Sequence, residues 1–226
     1  MASAPGLLYE RANAPVWQVG QEVGMKTLLI AGGSASGKTW LAERVREALP
    51  AATLVPQDAF YHDRPSGSAA DRHAFDFDQP YAIDWAEMAR VVTTLQAGRT
   101  ADIPVYDFSV SARRGYEPLE PQGDTLIVDG TLVLTQPSIV ALGHASLYVR
   151  CPEVLRQARR ERRDVEERGR DIAFVRQQLT GQVFPAHEAH VRPSARHADL
   201  VMAAQDILAD PDGAVERVLE LVAGSG

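Results

Sequence analysis

Short, continuous apolar runs alternate along the chain with amphipathic stretches. The runs lie at Thr27 to Ala31, Thr53 to Val55, Thr125 to Asp129, Ser146 to Val149 and Leu200 to Met202. Runs of this kind, bounded by turn-forming residues, predict strands covered on both faces, as in a parallel sheet. Between them, helices are predicted over about 38–49, 83–97, 153–168, 172–183 and 212–222, the third strongly charged and the second and last with an apolar stripe. In the second of these, Ile83, Met88, Val91, Val92 and Leu95 make the stripe. Asp84 stands near its start, and Gly98 stands where a terminating glycine belongs. Ile103 to Phe108 is read as extended. Strand–helix alternation predicts an α/β fold, a parallel β-sheet flanked by helices on both faces. Residues 1–24 fall outside the pattern. Ala4-Pro5-Gly6 and Ala14-Pro15 break any long element, and Val16 to Val19 predicts a short strand at most. An N-terminal arm over 1–24 and a folded domain over 25–226 are therefore expected.

Composition narrows the class. A chain of 226 residues suffices for one α/β domain, with or without a small lid. A net charge of -7 argues against a general nucleic-acid binder, which would carry a basic face. Cys151 is the single cysteine, so no intramolecular disulfide is expected, and a buried or half-buried thiol is. No run approaches about 18 apolar residues, and no charged-then-apolar leader is visible. No membrane partner and a cytoplasmic location are expected.

The first strand runs directly into Gly32-Gly33-Ser34-Ala35-Ser36-Gly37-Lys38-Thr39, a G-x-x-x-x-G-K-[ST] phosphate-binding loop. Small residues let successive backbone N–H groups turn inward onto phosphate oxygens. Lys38 adds a mobile charge for the β- and γ-phosphates, and Thr39 a hydroxyl ligand for Mg²⁺. The helix that begins here directs its positive end at the anion. The chain is thus expected to bind a nucleoside triphosphate.

Asp129 ends a central strand, beside the phosphate crevice, where a carboxylate can hold Mg²⁺ or its water. Asp58 follows another strand into the same crevice and could accept the proton of an acceptor hydroxyl. Taken alone, Asp58 reads sooner as a turn residue than as a base. Arg156, Arg159, Arg160, Arg162, Arg163, Arg168 and Arg170 crowd one segment among acids. Most of these charges are expected to be solvated ion pairs at three- and four-residue spacing. Arg160 and Arg163 share a face and could neutralise a transferring phosphoryl group and exclude water. His187 and His190 show no metal-ligand pattern and are expected to be surface or packing residues.

Several motifs, in this order, resemble the uridine kinase family within the wider group that includes phosphoribulokinase. They are the phosphate loop; Gln57-Asp58-Ala59-Phe60-Tyr61; Phe77-Asp78-Gln79-Pro80 with Asp84; Ile103-Pro104-Val105-Tyr106-Asp107-Phe108; Leu126-Ile127-Val128-Asp129-Gly130; Arg163-Asp164 through Glu167-Arg168-Gly169-Arg170-Asp171; and Ala198-Asp199. The resemblance runs from about Thr27 to Asp199. It implies a P-loop NTPase fold with an arginine-rich helical lid over about 155–185. It also implies transfer of the γ-phosphate of ATP, or GTP, with Mg²⁺, to the 5′-hydroxyl of uridine or cytidine. On that resemblance Asp58 is the catalytic acid–base, working with Lys38, Arg163 and Arg168. Asp78 binds the ribose hydroxyls, Tyr106, Phe77 and Phe108 wall the base, and Ser111, Arg160, Arg170 and Gln178 contact substrate or phosphates. Thr39 and Asp129 serve the metal. A homo-oligomer, dimer or tetramer, is implied as well.

The chain departs from the family pattern in places. Ser111 and Gln79 stand where histidines are frequent, Asp129-Gly130 replaces Glu-Gly, and Met202 to Gln205 lacks the usual look. Base recognition is therefore where a different ribosyl or sugar-phosphate acceptor, or a non-catalytic nucleotide-binding role, would enter.

Overall fold

The structure is a computed structural model that describes residues 24–63, 76–108, 110–166 and 169–225. The expected arm, apart from Gly24, most of the polar loop before Asp76, and Arg168 lie outside the described residues.

Five strands, β1 (Lys26–Gly32), β2 (Ala52–Pro56), β5 (Thr125–Asp129), β6 (Ala145–Arg150) and β7 (Leu200–Ala203), form one sheet in the order β2-β5-β1-β6-β7. All four pairings are parallel. The two-residue period of a strand divides its side chains between two cores. Leu28 and Ile30 of β1, with Ile127, Leu147 and Val149, face α1 (Lys38–Ala48) and α9 (Pro211–Gly224), which contribute Leu41, Val45, Val215 and Val218. Leu29 and Ala31, with Leu126, Val128 and Tyr148, face α2 (Trp85–Gln96), which contributes Met88, Val91, Val92 and Leu95. Every residue of β5 is buried. Truncating Ile127 to Ala would cost about 2–5 kcal/mol, because neighbours on both sides are fixed.

Helix α2 starts at Trp85, two residues after the expected Ile83: Asp84 caps it, accepting from the Glu87 N–H at 3.1 Å, and Gly98 leaves it with φ of 69°. Asp199 explains the Ala198-Asp199 motif in terms of the fold. Its carboxylate accepts from the Ser146 N–H at 2.8 Å and hydroxyl at 2.6 Å, fastening the entry of β7 to β6.

The stretch read as extended at Ile103 to Phe108 is a strand through Asp107, but its pairing and several other elements have no counterpart in the sequence-based expectations. β3 (Ala101–Asp107) pairs antiparallel with β4 (Ala112–Leu119) in a separate two-stranded ribbon. No residue of β4 is buried, so it has no apolar alternation to display. Short helices α3 (Pro137–Val140) and α8 (Ala204–Ala209) were likewise unmarked. After α4 (Glu153–Glu166) and α5 (Ile172–Gln178), the chain remains helical to His197, through Pro185 and Pro193, through α6 (Phe184–Ala186) and α7 (Arg192–Ser194). Each proline follows a widened π-helical turn, Leu179–Val183 or His187–Val191. Such turns relieve the missing N–H and the ring clash that would break a regular helix.

Candidate active site

The phosphate loop leaves the carboxyl end of β1 and enters α1 by a backbone path that few residues tolerate. Gly32 and Gly37 have φ of 153° and 97°, and Ala35, with a side chain, is held at 62°. A Cβ on Gly32 would lie 2.7 Å from the Val149 carbonyl oxygen of β6. Gly37 caps α1 with no side-chain hydrogen bond, and no acid occupies the first turn. The first N–H groups of α1 are thus free to meet an anion, with the helix dipole behind them.

One cavity of about 210 Å³ opens beyond the strand ends. Ser34, Lys38 and Thr39 form its floor, and Asp58 reaches it from the 3-10 turn Gln57–Phe60 that follows β2. Phe77, Asp78, Tyr106, Phe108 and Ser111 supply one wall, and Arg160, Arg163, Arg170 and Gln178 the other. The structure therefore brings every expected acceptor-side residue into one space; Arg168 lies outside the described residues. Ala35, Ser36 and Gly37 line a second, apolar slot of about 340 Å³ with Trp40, Arg159, Arg163, Ile207 and Leu208. Gly33 backs onto Arg156 and His187: a Cβ there would lie 2.8 Å from the Arg156 guanidinium.

Three residues of the first cavity went unassigned in the sequence: Tyr61, Thr131 and Gln182. Tyr61 is the hub of an aromatic group, with ring centroids 5.6 Å from Phe77, 5.5 Å from Tyr106 and 6.4 Å from Phe108. Its place three residues after Asp58, in the same motif, was the available signal. Burial, then the Asp58 and Asp78 carboxylates, push its hydroxyl well above its usual range, so Tyr61 stays protonated. Burial also raises the Asp78 carboxyl to about 6, partly opposed by Arg160.

Thr39 donates to Asp129 Oδ2 at 2.7 Å. Asp129 Oδ1 is buried without a hydrogen-bond partner. Burial pushes this carboxyl up, while Lys38 and the Thr39 hydroxyl pull it down. A desolvated carboxylate with an orphaned oxygen beside a hydroxyl is a hard oxygen donor pair. It suits Mg²⁺, which keeps waters and phosphate oxygens for its other positions. Gly130 is required next to it because a Cβ would collide with Gln57, whose side chain accepts from the Leu132 N–H at 2.7 Å.

Helix α4 corrects the expectation of a mostly solvated arginine segment. Arg162 and Glu166 do form an exposed pair at 3.0 Å. Arg156, however, is buried under the loop, with its Nε donating to the Cys151 carbonyl at 3.2 Å. Arg159 donates to the Ala35 and Ser36 carbonyls, each at 3.4 Å, and Arg160 to the Ser34 hydroxyl at 3.0 Å. The i, i+3, i+4, i+7 spacing places residues 156, 159, 160 and 163 on one helix face, and that face meets the phosphate loop. Cys151 is buried, as expected. His187 packs beside Tyr148, and His190 lies 2.9 Å from Gln79 Oε1, while Gln79 also donates to Asp76 at 3.0 Å. Among the described residues no group of three His, Cys, Asp or Glu side chains could hold a metal, and no helix is long and apolar enough to cross a membrane.

Comparison with known proteins adds to this geometry. A sequence model of the phosphoribulokinase/uridine kinase family matches residues 28–207. A uridine kinase of Halobacterium salinarum is 31% identical over 76% of this chain and 77% of its own length. A uridine kinase of Chloroflexus aggregans is 35% identical over 76% of this chain and 83% of its own. The fold is shared with phosphoribulokinase from Rhodobacter spheroides, at a TM-score of 0.56 and 16% identity over 80% of this chain and 70% of that one.

Proposed function

The chain belongs to the phosphoribulokinase/uridine kinase family and is a P-loop phosphotransferase acting on a hydroxyl group; from that premise we propose that its acceptor is the 5′-hydroxyl of a pyrimidine nucleoside, uridine or cytidine, and its donor ATP. The observation that carries this reading is the single cavity in which Asp58 and Asp78 face Lys38 and Thr39 beneath an aromatic wall. A flat base fits among Tyr61, Phe77, Tyr106 and Phe108, and paired ribose hydroxyls fit an ionised Asp78. The 5′-hydroxyl then falls toward Asp58, at the mouth of the phosphate loop.

In this reading Asp58 orients the hydroxyl and takes its proton as the O5′–P bond forms and the bond between the β–γ bridging oxygen and the γ-phosphorus breaks. Lys38 and the arginines of α4 meet the charge on the transferring group. Mg²⁺ held at Thr39 and Asp129 would supply further neutralisation of the β- and γ-phosphates. The segment of about 155–185 serves as the cover that keeps water from the phosphates. The apolar slot beside Trp40 and Leu208 takes the adenine ring, stacking rather than reading its edge.

One observation favours a second acceptor class. Ser111 reaches the cavity from a left-handed backbone position, φ 56°, with a short hydroxyl as its reading group. Such a group makes a weaker demand on the base edge than a ring nitrogen would, so another ribosyl compound remains the competing substrate. ADP release in the presence of ATP and Mg²⁺, measured over uridine, cytidine, purine nucleosides and nicotinamide riboside, decides it. The pyrimidine reading expects kcat/KM for uridine or cytidine to exceed the others by about 100-fold, the discrimination that one or two hydrogen bonds confer. Comparable values for all would retire it, and no turnover with any nucleoside would retire the nucleoside reading.

A further inference from the structure

Helix α4 carries a carboxylate that no step above uses. The Asp164 side chain is 0% exposed, and three guanidiniums close on it. Arg163 Nε donates to Oδ1 at 3.1 Å, Arg170 Nη1 donates to Oδ2 at 3.2 Å, and Arg160 Nε lies 3.6 Å from Oδ2. The backbone returns to the same residue, since the Arg170 N–H donates to the Asp164 carbonyl at 3.0 Å. All three arginines line the cavity that holds Lys38 and Asp58, whereas Asp164 does not.

We infer that Asp164 is a positioning residue: it holds Arg160, Arg163 and Arg170 in one fixed arrangement that presents their outward N–H groups to phosphate. A guanidinium is a planar fork of five donors, so an edge spent on Asp164 fixes the plane and aims the remaining donors. Arg160, paired with Asp164 by charge at 3.6 Å rather than by a hydrogen bond, directs its Nη1 to Ser34 of the phosphate loop. Three long side chains without such an anchor would sample many rotamers and would have to be ordered each time the anion arrives. The anchor is paired within the protein, so the ordering is done before substrate binds. Three cations around one buried anion also leave the group net positive among the described residues, which suits a polyanionic ligand. Arg162 and Glu166, 78% and 62% exposed on the outer face of the same helix, show what an unspecialised pair there looks like.

The inference builds on the phosphoryl-transfer reading but not on the identity of the acceptor, so the test uses inorganic tripolyphosphate as the probe. Its dissociation constant is measured by calorimetry on the full chain, for wild type, Asp164→Asn and Arg162→Ala. A carboxylate that only balances charge would, on removal, leave a more positive site and tighter anion binding. A carboxylate that aims the guanidiniums would leave weaker binding. We expect Asp164→Asn to weaken binding about tenfold or more and Arg162→Ala to stay within about twofold. Unchanged or tighter binding in Asp164→Asn overturns the inference. Should Asp164→Asn fail to fold, Asp164→Asn/Arg170→Gln, which removes one charge of each sign, is compared with Arg170→Gln alone. A further loss of about fivefold or more is expected, and equal or tighter binding overturns the proposal. A wild type that binds tripolyphosphate in this pattern yet phosphorylates no nucleoside sinks the acceptor assignment and leaves Asp164 standing. An active nucleoside kinase with indifferent Asp164→Asn does the reverse.

Discussion

The two ends of the reacting cavity are built in opposite ways. At the proposed donor end, eight consecutive residues, Gly32 to Thr39, form one contiguous loop whose path rests on glycine conformations and close backbone approach, with strands and helix packed tightly around them. At the proposed acceptor end, Tyr61, Phe77, Tyr106 and Phe108 arrive from three separate segments, and Phe108 is 50% exposed where it leaves a ribbon outside the main sheet. Backbone N–H groups are the same in every sequence, so the path of the loop depends chiefly on where side chains are absent. The acceptor end depends on which side chains are present. On the proposed reading, acceptor choice can be rewritten on the wall while the phosphate loop is left in place.

The comparison is broken most severely where the ends meet. Asp58→Asn should lower kcat by roughly 10²- to 10⁴-fold, the range for losing a positioned general base, with donor affinity little changed. Loss of kcat below threefold, measured by ADP release, would remove Asp58 from the chemistry. At the donor end, Gly32→Ala forces a Cβ against the Val149 carbonyl. Strain of that kind, about 1–3 kcal/mol, should weaken ATP roughly ten- to a hundredfold and lower the thermal midpoint as well.

Asp78→Asn sharpens the contrast by separating stability from function. The folded Asp78 carboxyl titrates near 6, above its unfolded value of 3.8. An acid raised in this way is disfavoured as the anion, so it destabilises the fold above pH 6, and the penalty fades as pH falls from 6 toward 3.8. Its neutral-pH cost is on the order of 2–3 kcal/mol. Asp78→Asn should therefore raise the thermal midpoint at pH 7.5 and leave it nearly unchanged at pH 4. Acceptor KM should meanwhile rise roughly ten- to a hundredfold through the loss of charge-assisted hydrogen bonds. In wild type, acceptor KM should rise as pH drops through 6; a flat profile would mean that the ionised carboxylate does not hold the acceptor. The smallest effect belongs to the outer wall. Phe108→Ala should raise acceptor KM only about three- to tenfold, what a half-exposed aromatic contact supplies, with ATP affinity unmoved.

The same division decides what the sequence reveals. The phosphate loop was legible because its residues are contiguous and each has a local reason, and the parallel sheet because strands covered on both faces must be uniformly apolar. Asp164 was not legible, because an acid among arginines at helical spacing looks alike whether it faces water or the interior; only the return of the chain at Arg170 decides. β4 left no signal because neither of its faces is buried. Helix through Pro185 and Pro193 was missed because wide turns absorb the proline defect, and nothing in composition announces them. Tyr61 needed three-dimensional convergence with residues from β3 and from the segment before α2.

Arg163 alone among these lining residues borders both the cavity that holds Asp58 and the apolar slot beside Trp40. On the proposed reading one side chain, held in place by Asp164, forms a party wall between two guests and offers its charge to both. Linkage then makes the influence mutual: the factor by which donor changes acceptor affinity equals the factor by which acceptor changes donor affinity. Titrating each substrate in the presence and absence of the other should give the same ratio, and Arg163→Ala should bring both ratios toward one. The two substrates would then help or hinder each other equally, through a single shared guanidinium.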